Sequence, residues 1–274
     1  MKRWYLQPSI LLGGLILLLV AGAALLAGWL YPDDPLDMVG APYTWPGSDA
    51  ATPLGTDLMG RDLLAGLVHG ARVSLLVGVS SAIISLLIGI TVGALAGFYG
   101  GWVDAVLTRI TEFFQTIPAF LLAIILVAIL EPSVKTIVFA LGVTSWTSIA
   151  RLVRSEFIAL REREFVRASI ALGASDAHVV LREILPNAWT PVVVSTALLV
   201  ANAILSEAGL SFLGLGDPNV VSWGSMIGLG RDALRTGWYM TAIPGLAIVL
   251  TVLALNLLSD ALHGALNPKL RRGR

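Results

Sequence analysis

The chain has 274 residues, of which 56% are hydrophobic and 13% are charged, and its mean hydropathy is +0.83. Soluble domains carry about 25% charged residues, so this composition excludes a soluble globular protein and predicts an integral membrane protein. The formal net charge is zero and the chain has no cysteine, which argues against a nucleic-acid-binding protein and excludes disulfides and thiolate metal sites.

The first predicted element is a membrane span from Ile10 to Leu30, an uncharged run of 21 residues. Such a run is long enough to cross about 30 Å of hydrocarbon. The stretch Ala21 to Ala23 resembles the cleavage site of a signal peptide, which is the competing interpretation. The apolar run continues past that stretch and is longer than a typical signal core, so an uncleaved anchor is favoured.

The next stretch, residues 31–72, is polar and mostly acidic, which places it outside the cell because positive charge is enriched in cytoplasmic loops. Within it, Leu54-Gly-Thr-Asp-Leu-Met-Gly-Arg-Asp62 combines glycines that allow tight turns with side chains that can hydrogen-bond and pair their charges. We expect a self-structured, charge-paired loop, and direct substrate contact is the alternative. This external motif consists of Gly55, Thr56, Asp57, Gly60, Arg61 and Asp62.

The second predicted span runs from Val73 to Tyr99 and is rich in glycine, serine and alanine. Gly89 and Gly93 have a spacing that lets two helices approach closely in lipid, so we expect this span to pack inside a bundle. The sequence contains no GxxxxGK[ST] pattern, and it therefore does not predict ATP binding through a phosphate loop.

The third predicted span runs from Phe113 to Leu130, with Pro118 in its first turns. It is preceded by a predicted turn over residues 100–115 at the membrane edge. In that turn Arg109 and Glu112 can pair, because they stand three residues apart.

The fourth predicted span begins over Ile137 to Ala150, the fifth covers Ala188 to Ser206, and the sixth covers Tyr239 to Ser259. Asn202 lies in the fifth span and Glu207 lies at its end. An acidic side chain there is costly unless it is paired or hydrated. Glu207 either lines the external mouth of a pathway or bonds a neighbouring helix, and its closeness to the interface favours the second role.

The longest charge-bearing interruption of this apolar sequence is the 164–186 segment. It predicts a helix, a sharp change of direction at Gly173, a second helix capped by Ser175, and a stop at Pro186. Two short helices joined at an angle would form a knob. The first helix carries one small, weakly apolar stripe, formed by Phe165, Ala168, Ser169 and Leu172.

The 164–186 segment is either a solvated loop or a docking element for a partner. Arg163 and Arg167 are like charges four residues apart, which costs a few tenths of a kcal/mol unless an acidic group faces them. Glu164 offsets this only in part. The charges therefore favour docking.

Basic residues are unevenly distributed over the predicted topology. With both termini inside, the external side carries five of the 18 basic residues, namely Arg61, Arg72, Lys135, Arg231 and Arg235. The cytoplasmic side carries the others, namely Lys2, Arg3, Arg109, Arg151, Arg154, Arg161, Arg163, Arg167, Arg182, Lys269, Arg271, Arg272 and Arg274. This bias predicts six spans with the 164–186 segment in the cytoplasm.

The predicted fold is all-α, with six transmembrane helices. Residues 1–71 form an N-terminal span and an external loop. Residues 72–264 form a five-span core that contains a cytoplasmic loop at 157–187, and residues 265–274 form a basic tail.

The 164–186 segment also carries a resemblance. In the order of its residues, Ala168 is followed by a small residue, three further residues and Gly173, and later by Leu185 and Pro186. This order resembles the EAA loop of the inner-membrane permeases of ABC importers. The segment departs from the family pattern at three positions. Arg167, Ser169 and Glu183 stand where the family has glutamate, alanine and isoleucine.

Two other stretches extend the resemblance over nearly the whole chain. The Leu54 to Asp62 stretch is similar to the LGTDxxGRD segment of the permease branch that imports peptides and nickel. The string from Glu207 to Gly216, followed by Trp223 and Gly224, resembles a sequence of the same branch at this location.

The resemblance implies a type I permease core and an importer of di- or oligopeptides, with nickel or another small solute as the alternative. It implies that the chain forms half of the pathway in a bacterial inner membrane, with both termini cytoplasmic. The implied partners are a second homologous permease, two ATP-binding subunits and an external solute-binding protein. ATP and Mg²⁺ would be held by the ATP-binding subunits, with no cofactor in this chain. The implied coupling residues are Glu164, Arg167, Ala168, Ser169, Gly173, Ala174, Ser175, Asp176, Leu185 and Pro186.

Two rival functional classes stay open at this point. An ion-driven secondary transporter would need charges or interrupted helices at mid-membrane, and the predicted mid-span stretches are almost free of charge. A scaffold without transport is the third possibility.

Short strings also match membrane proteases. Ser211 with His263 is similar to the pair of a serine protease, and Asp217 with Asp260 is similar to the pair of an aspartyl protease. In both pairs the predicted topology puts the two residues at opposite membrane faces, so neither pair can form a hydrogen bond. His69 and His178, like His263, stand on separate segments, which argues against a metal site.

Overall fold

The computed structural model describes residues 8–266, with side chains up to residue 264. Lys2, Arg3 and the basic residues from Lys269 onward lie outside the described residues. The helices are α1 (Pro8–Leu30), α2 (Leu63–Tyr99), α3 (Gly101–Thr116), α4 (Ala119–Leu130), α5 (Val134–Arg161), α6 (Glu164–Ala171), α7 (Asp176–His178), α8 (Leu185–Phe212), α9 (Trp223–Gly230) and α10 (Tyr239–Leu266). A π-helical segment, Val179–Ile184, joins α7 to α8, and a 3-10 turn, Arg231–Ala233, follows α9.

Five helical stretches are long and apolar enough to cross a membrane: α1, α2, α5, α10 and the continuous helix from Asp176 to Phe212. A sixth crossing is formed if α3 and α4, which are bent by 80° relative to each other, are counted together. The all-helical architecture with one N-terminal span ahead of the core is therefore confirmed, with five crossings, or six if α3 and α4 form a single one.

The third span differs from the prediction. Residues 100–115 were expected to form a turn, but they form most of α3, and the chain bends at Ile117 and Pro118 before α4 begins. Proline lacks the N–H that a continuous helix requires and disfavours helical geometry in the residue before it. Ile117 is accordingly extended, with φ −95° and ψ 127°.

Two predicted boundaries also move. α2 begins at Leu63 rather than at Val73, because Asp62 caps it by accepting a hydrogen bond from the Leu64 N–H at 2.8 Å. The boundary placed between residues 71 and 72 therefore falls inside a helix. α5 continues past Ala150 to Arg161, so the start of the predicted 157–187 loop is helical and buried at Phe157.

Glycines set the closest helix packing in the bundle. A Cβ built on Gly89 would lie 2.7 Å from Cβ of Ile149, and one built on Gly93 would lie 2.5 Å from the carbonyl oxygen of Ala150. Any larger residue would push α2 away from α5. The predicted small-residue packing of α2 is therefore present, and it brings α2 into close contact with α5.

Candidate functional site

The 164–186 segment is anchored to the bundle by a few apolar side chains. Val166 of α6 is fully buried, and so is Ile184 of the π-helical segment. Both belong to one hydrophobic cluster with Phe157 and Val153 of α5. The cluster fixes the segment to the adjoining ends of α5 and α8, so the segment moves only with those two helices.

The turn in this segment has the geometry that the sequence predicts. Gly173 has φ +84°, a left-handed conformation that favours glycine. The Gly173 N–H donates to the carbonyl of Ile170 and the Ala174 N–H donates to that of Ser169, which closes the end of α6. Ser175 then caps α7 by accepting from the His178 N–H at 3.4 Å.

The prediction that Pro186 ends the second helix is wrong. The helix from Asp176 continues through the π-helical segment into α8, and Pro186 lies in the first turn of α8. A proline is tolerated there because the wider π-helical hydrogen bonding removes the need for its N–H. The expected knob of two short helices is therefore one short helix, α6, beside the N-terminal end of the long helical stretch from Asp176 to Phe212.

Polar contacts lock α6 against that span. The Ser169 hydroxyl donates to Glu183 of the π-helical segment, and Arg167 pairs with Glu162 at the end of α5. The pairing partner of Arg167 is thus Glu162 rather than Glu164. Neither contact can be predicted from the sequence pattern. The five-residue spacing from Glu162 to Arg167 gives no helical signal, because the chain turns between them.

The outward face of α6 is apolar and exposed. Phe165 is 47% exposed and Leu172 is 88% exposed, and Ala168 lies between them and is also exposed. Leu172 is the residue that directly follows α6, and with Phe165 it forms an exposed apolar surface suited to contact with another protein. Glu164, Asp176 and Pro186 are exposed as well.

The external motif forms a self-structured loop. Gly55 and Gly60 both have φ +80°, and a Cβ on Gly60 would lie 2.2 Å from the carbonyl oxygen of Gly40. The Thr56 hydroxyl donates to the carbonyl of Ala41 at 2.6 Å. Asp57 accepts from the N–H of Met59 at 2.7 Å and of Arg61 at 2.9 Å.

The expected charge pairing of this motif is wrong. Asp57 and Asp62 each bind backbone N–H groups, and among the described residues the Nε of Arg61 has no hydrogen-bond partner. Carboxylates in turns commonly bond nearby backbone N–H groups, and here that local bonding takes the place of the ion pair.

Glu207 joins three helices near the outer end of the bundle. It is 2% exposed, and its carboxylate accepts from the hydroxyls of Ser211 at 2.7 Å and Ser222 at 2.6 Å, and of Ser74 at 3.5 Å. These serines belong to α8, to the cap of α9 and to α2. Glu207 therefore bonds neighbouring helices, whereas Asn202 is exposed.

The residues of the protease-like strings have structural contacts. Ser211 bonds Glu207, and Asp217 accepts from the N–H groups of Val134 at 3.1 Å and Asn219 at 3.0 Å. Over residues 8–266 the structure holds no group of three or more His, Asp or Glu side chains placed to bind a metal.

The comparisons with known proteins agree with this architecture. Residues 89–272 match the family described as binding-protein-dependent transport system inner membrane component. The chain is 41% identical, over 95% of its length and 88% of the relative's, to the Di/tripeptide transport system permease protein DppC of Pseudomonas aeruginosa. It is 36% identical, over 98% of its length and 90% of the relative's, to the Glutathione transport system permease protein GsiD of Pectobacterium atrosepticum.

The fold has a solved counterpart. Inward-facing structures of the MetNI methionine ABC transporter include a chain that superposes with a TM-score of 0.60 over 74% of this chain and 96% of the other, at 20% sequence identity. The match to the family profile and the high coverage of the curated relatives settle the assignment: this chain is a member of the binding-protein-dependent transport system inner membrane component family.

Proposed function

We propose that the chain is one of two permease subunits of a bacterial ABC importer for di- or oligopeptides, and that its 164–186 segment couples it to an ATP-binding subunit. The substrate class is supported by the names of its relatives, which are described as di/tripeptide, glutathione and peptide permeases. The chain supplies a path and a mechanical coupling, with no covalent chemistry of its own.

The observation that carries the proposal is the combination of an exposed face and a rigid anchor in α6. Phe165 of α6 and Leu172, which directly follows α6, are exposed, while Val166 of α6 is fully buried. A push on the exposed face is transmitted through Val166 and Ile184 to α5 and α8, since close-packed interiors deform little. ATP-driven movement of a docked subunit would thus tilt two spans and switch the pathway between its inward-open and outward-open forms.

The partners in this proposal are a second homologous permease, two ATP-binding subunits and an external solute-binding protein. ATP and Mg²⁺ bind to the ATP-binding subunits and none of this chain's residues holds a cofactor. The chain resides in the bacterial inner membrane with both termini in the cytoplasm, an orientation supported by the excess of basic residues on the side of the 164–186 segment.

The test is peptide uptake in a strain that lacks its own peptide permease and carries Gly173→Pro. Proline holds φ near −65° and cannot adopt the +84° of Gly173, so α6 is displaced while the membrane spans stay intact. We expect membrane insertion with loss of uptake. Gly173→Asn is the matched control, because asparagine tolerates the left-handed conformation, and it should retain uptake. Normal uptake by Gly173→Pro would contradict the proposal.

A second variant tests the same surface without touching the backbone. Ala168→Arg places a bulky charge on the exposed face between Phe165 and Leu172. We expect insertion and folding to be preserved, with ATP hydrolysis by the assembled importer no longer linked to uptake. Unchanged uptake by Ala168→Arg would contradict a role of this exposed face in coupling.

A further inference from the structure

The break between α3 and α4 interrupts the third crossing when the two helices are counted as one span, and Thr116 and Pro118 on either side of it are exposed. α4 has 12 residues, about 18 Å at 1.5 Å per residue, which is too short to cross about 30 Å of hydrocarbon. The third crossing therefore needs α3 as well, and the 80° bend between the two helices falls along that crossing.

The depth of the break follows from its neighbours. Asp104, near the start of α3, accepts from Nε of Arg154 at 2.5 Å near the cytoplasmic end of α5. Phe114, near the end of α3, packs edge-on against Trp146 with ring centroids 5.4 Å apart. Trp146 stands 12 residues from the outer end of α5 at Val134, about 18 Å at the helical rise. α3 thus climbs from the cytoplasmic face to about mid-membrane, where the break begins.

The surface beside the break is polar and exposed. Glu112, Gln115 and Thr116 are all exposed, and Arg109 pairs with Glu112 at 3.0 Å while their side chains are 84% and 54% exposed. Pro118 at the start of α4 provides no side-chain cap. Exposure of such a surface to lipid hydrocarbon is costly, because charged side chains and uncapped backbone within a membrane are stabilised by surrounding protein or by water.

We propose that this surface, formed by Arg109, Glu112, Gln115, Thr116 and the break at Ile117 and Pro118, lines the aqueous path and contacts the passing solute. The inference rests on the proposed function, which places a hydrated path between two permease subunits. The pair of Arg109 and Glu112 offers a cation and an anion side by side. That suits a zwitterionic peptide, whose terminal carboxylate and ammonium groups need opposite partners once their hydration is reduced.

The absence of cysteine from the chain makes a direct test available. Gln115→Cys or Thr116→Cys introduces the single thiol of this subunit at the exposed break. Inside-out vesicles that contain the whole importer are treated with a charged, membrane-impermeant methanethiosulfonate, and modification of this chain is read by mass spectrometry. The matched control is Leu19→Cys, since Leu19 is 65% exposed on α1 among apolar neighbours.

We expect both break variants to be modified, the Leu19→Cys control to stay unmodified, and uptake to be lost after modification. A saturating dipeptide that the importer transports should slow the modification. Absence of modification at both break positions, with and without nucleotide, would overturn the inference, as would modification that the dipeptide leaves unchanged. These outcomes are distinct from failure of the proposed function, because uptake by the unmodified chain reports on that function separately.

Discussion

The two ends of the helix bundle differ in how much of their surface is held by contacts within this chain. On the outer side, residues 31–62 pack onto α9 and α10, and the Tyr239 hydroxyl donates to the carbonyls of Thr44 at 3.0 Å and Thr56 at 3.2 Å. At the opposite end of the bundle, α6 buries Val166, and Leu172, which directly follows α6, is 88% exposed. The loop over residues 31–62 is thus held in place by contacts within the chain, whereas the 164–186 segment presents a firmly anchored apolar surface to its surroundings. Substitutions in the 31–62 loop should therefore act on stability, whereas those in the 164–186 segment should act on uptake, with a stability loss only where an anchoring side chain is removed.

The largest expected effect on stability is that of Gly60→Ala. The new Cβ would lie 2.2 Å from the carbonyl oxygen of Gly40 at φ +80°, which costs about 3 kcal/mol or more. The matched control is Gly47→Ala. Gly47 has φ +78° and no described atom within 4 Å of a Cβ, so only the left-handed strain of about 1–2 kcal/mol remains. Thermal melting of the purified importer measures both, and equal melting temperatures would contradict the account.

Glu207→Ala should have the next largest effect. It removes the acceptor of the Ser211 and Ser222 hydroxyls in a buried site, and an unsatisfied buried polar group costs about 1–3 kcal/mol. Glu207→Gln keeps one acceptor oxygen and should lose less. If both variants had the same melting temperature as the parent protein, the role of Glu207 in holding α9 to α2 and α8 would be contradicted.

Val166→Ala should have an intermediate effect of about 2 kcal/mol, from two lost methyl groups and a small cavity. It loosens the contact of α6 with Phe157 and Ile184, so uptake should fall along with the melting temperature. Phe165→Ala alters the half-exposed neighbouring residue and should leave the melting temperature nearly unchanged. A stability loss from Phe165→Ala as large as that from Val166→Ala would contradict the division of α6 into an anchored and an outward face.

Leu172→Ser should have the smallest effect on stability, within about 0.5 kcal/mol, as is usual for exposed positions. Because Leu172 is 88% exposed, any loss of uptake must come from a missing contact with another subunit. We expect uptake to fall while the melting temperature of the chain, purified without the ATP-binding subunits, stays constant. Unimpaired uptake would show that the inner face does not depend on this residue.

The sequence predicts the spans well where hydrophobic length alone decides. It fails at the third crossing, because Arg109 and Glu112 lower the local hydropathy and suggest a turn, and the packing of Phe114 on Trp146 that places α3 in the bundle is not visible in a linear pattern. It also fails at Pro186, since proline ends an α-helix but is accepted after a π-helical segment.

The candidate site is predictable in its local geometry and not in its long-range contacts. The turn at Gly173 and the helix cap at Ser175 depend on hydrogen bonds between residues that are close in sequence, so both can be predicted from the spacing of the residues. By contrast, two of the hydroxyls that donate to Glu207 belong to Ser74 and Ser222, which are 133 and 15 residues away along the chain. Only the fold brings these residues together, and no short pattern encodes them.

The measurement that tests the central claim most directly is site-specific crosslinking from Leu172 in the assembled importer. A photoreactive amino acid at position 172, with the same residue at Leu19 of α1 as a control, is irradiated in native membranes, and the products are identified by mass spectrometry. The account predicts a crosslink from position 172 to an ATP-binding subunit and none from position 19. If position 172 formed no crosslink to any other subunit in an importer that transports peptide, the coupling role of the 164–186 segment would be contradicted.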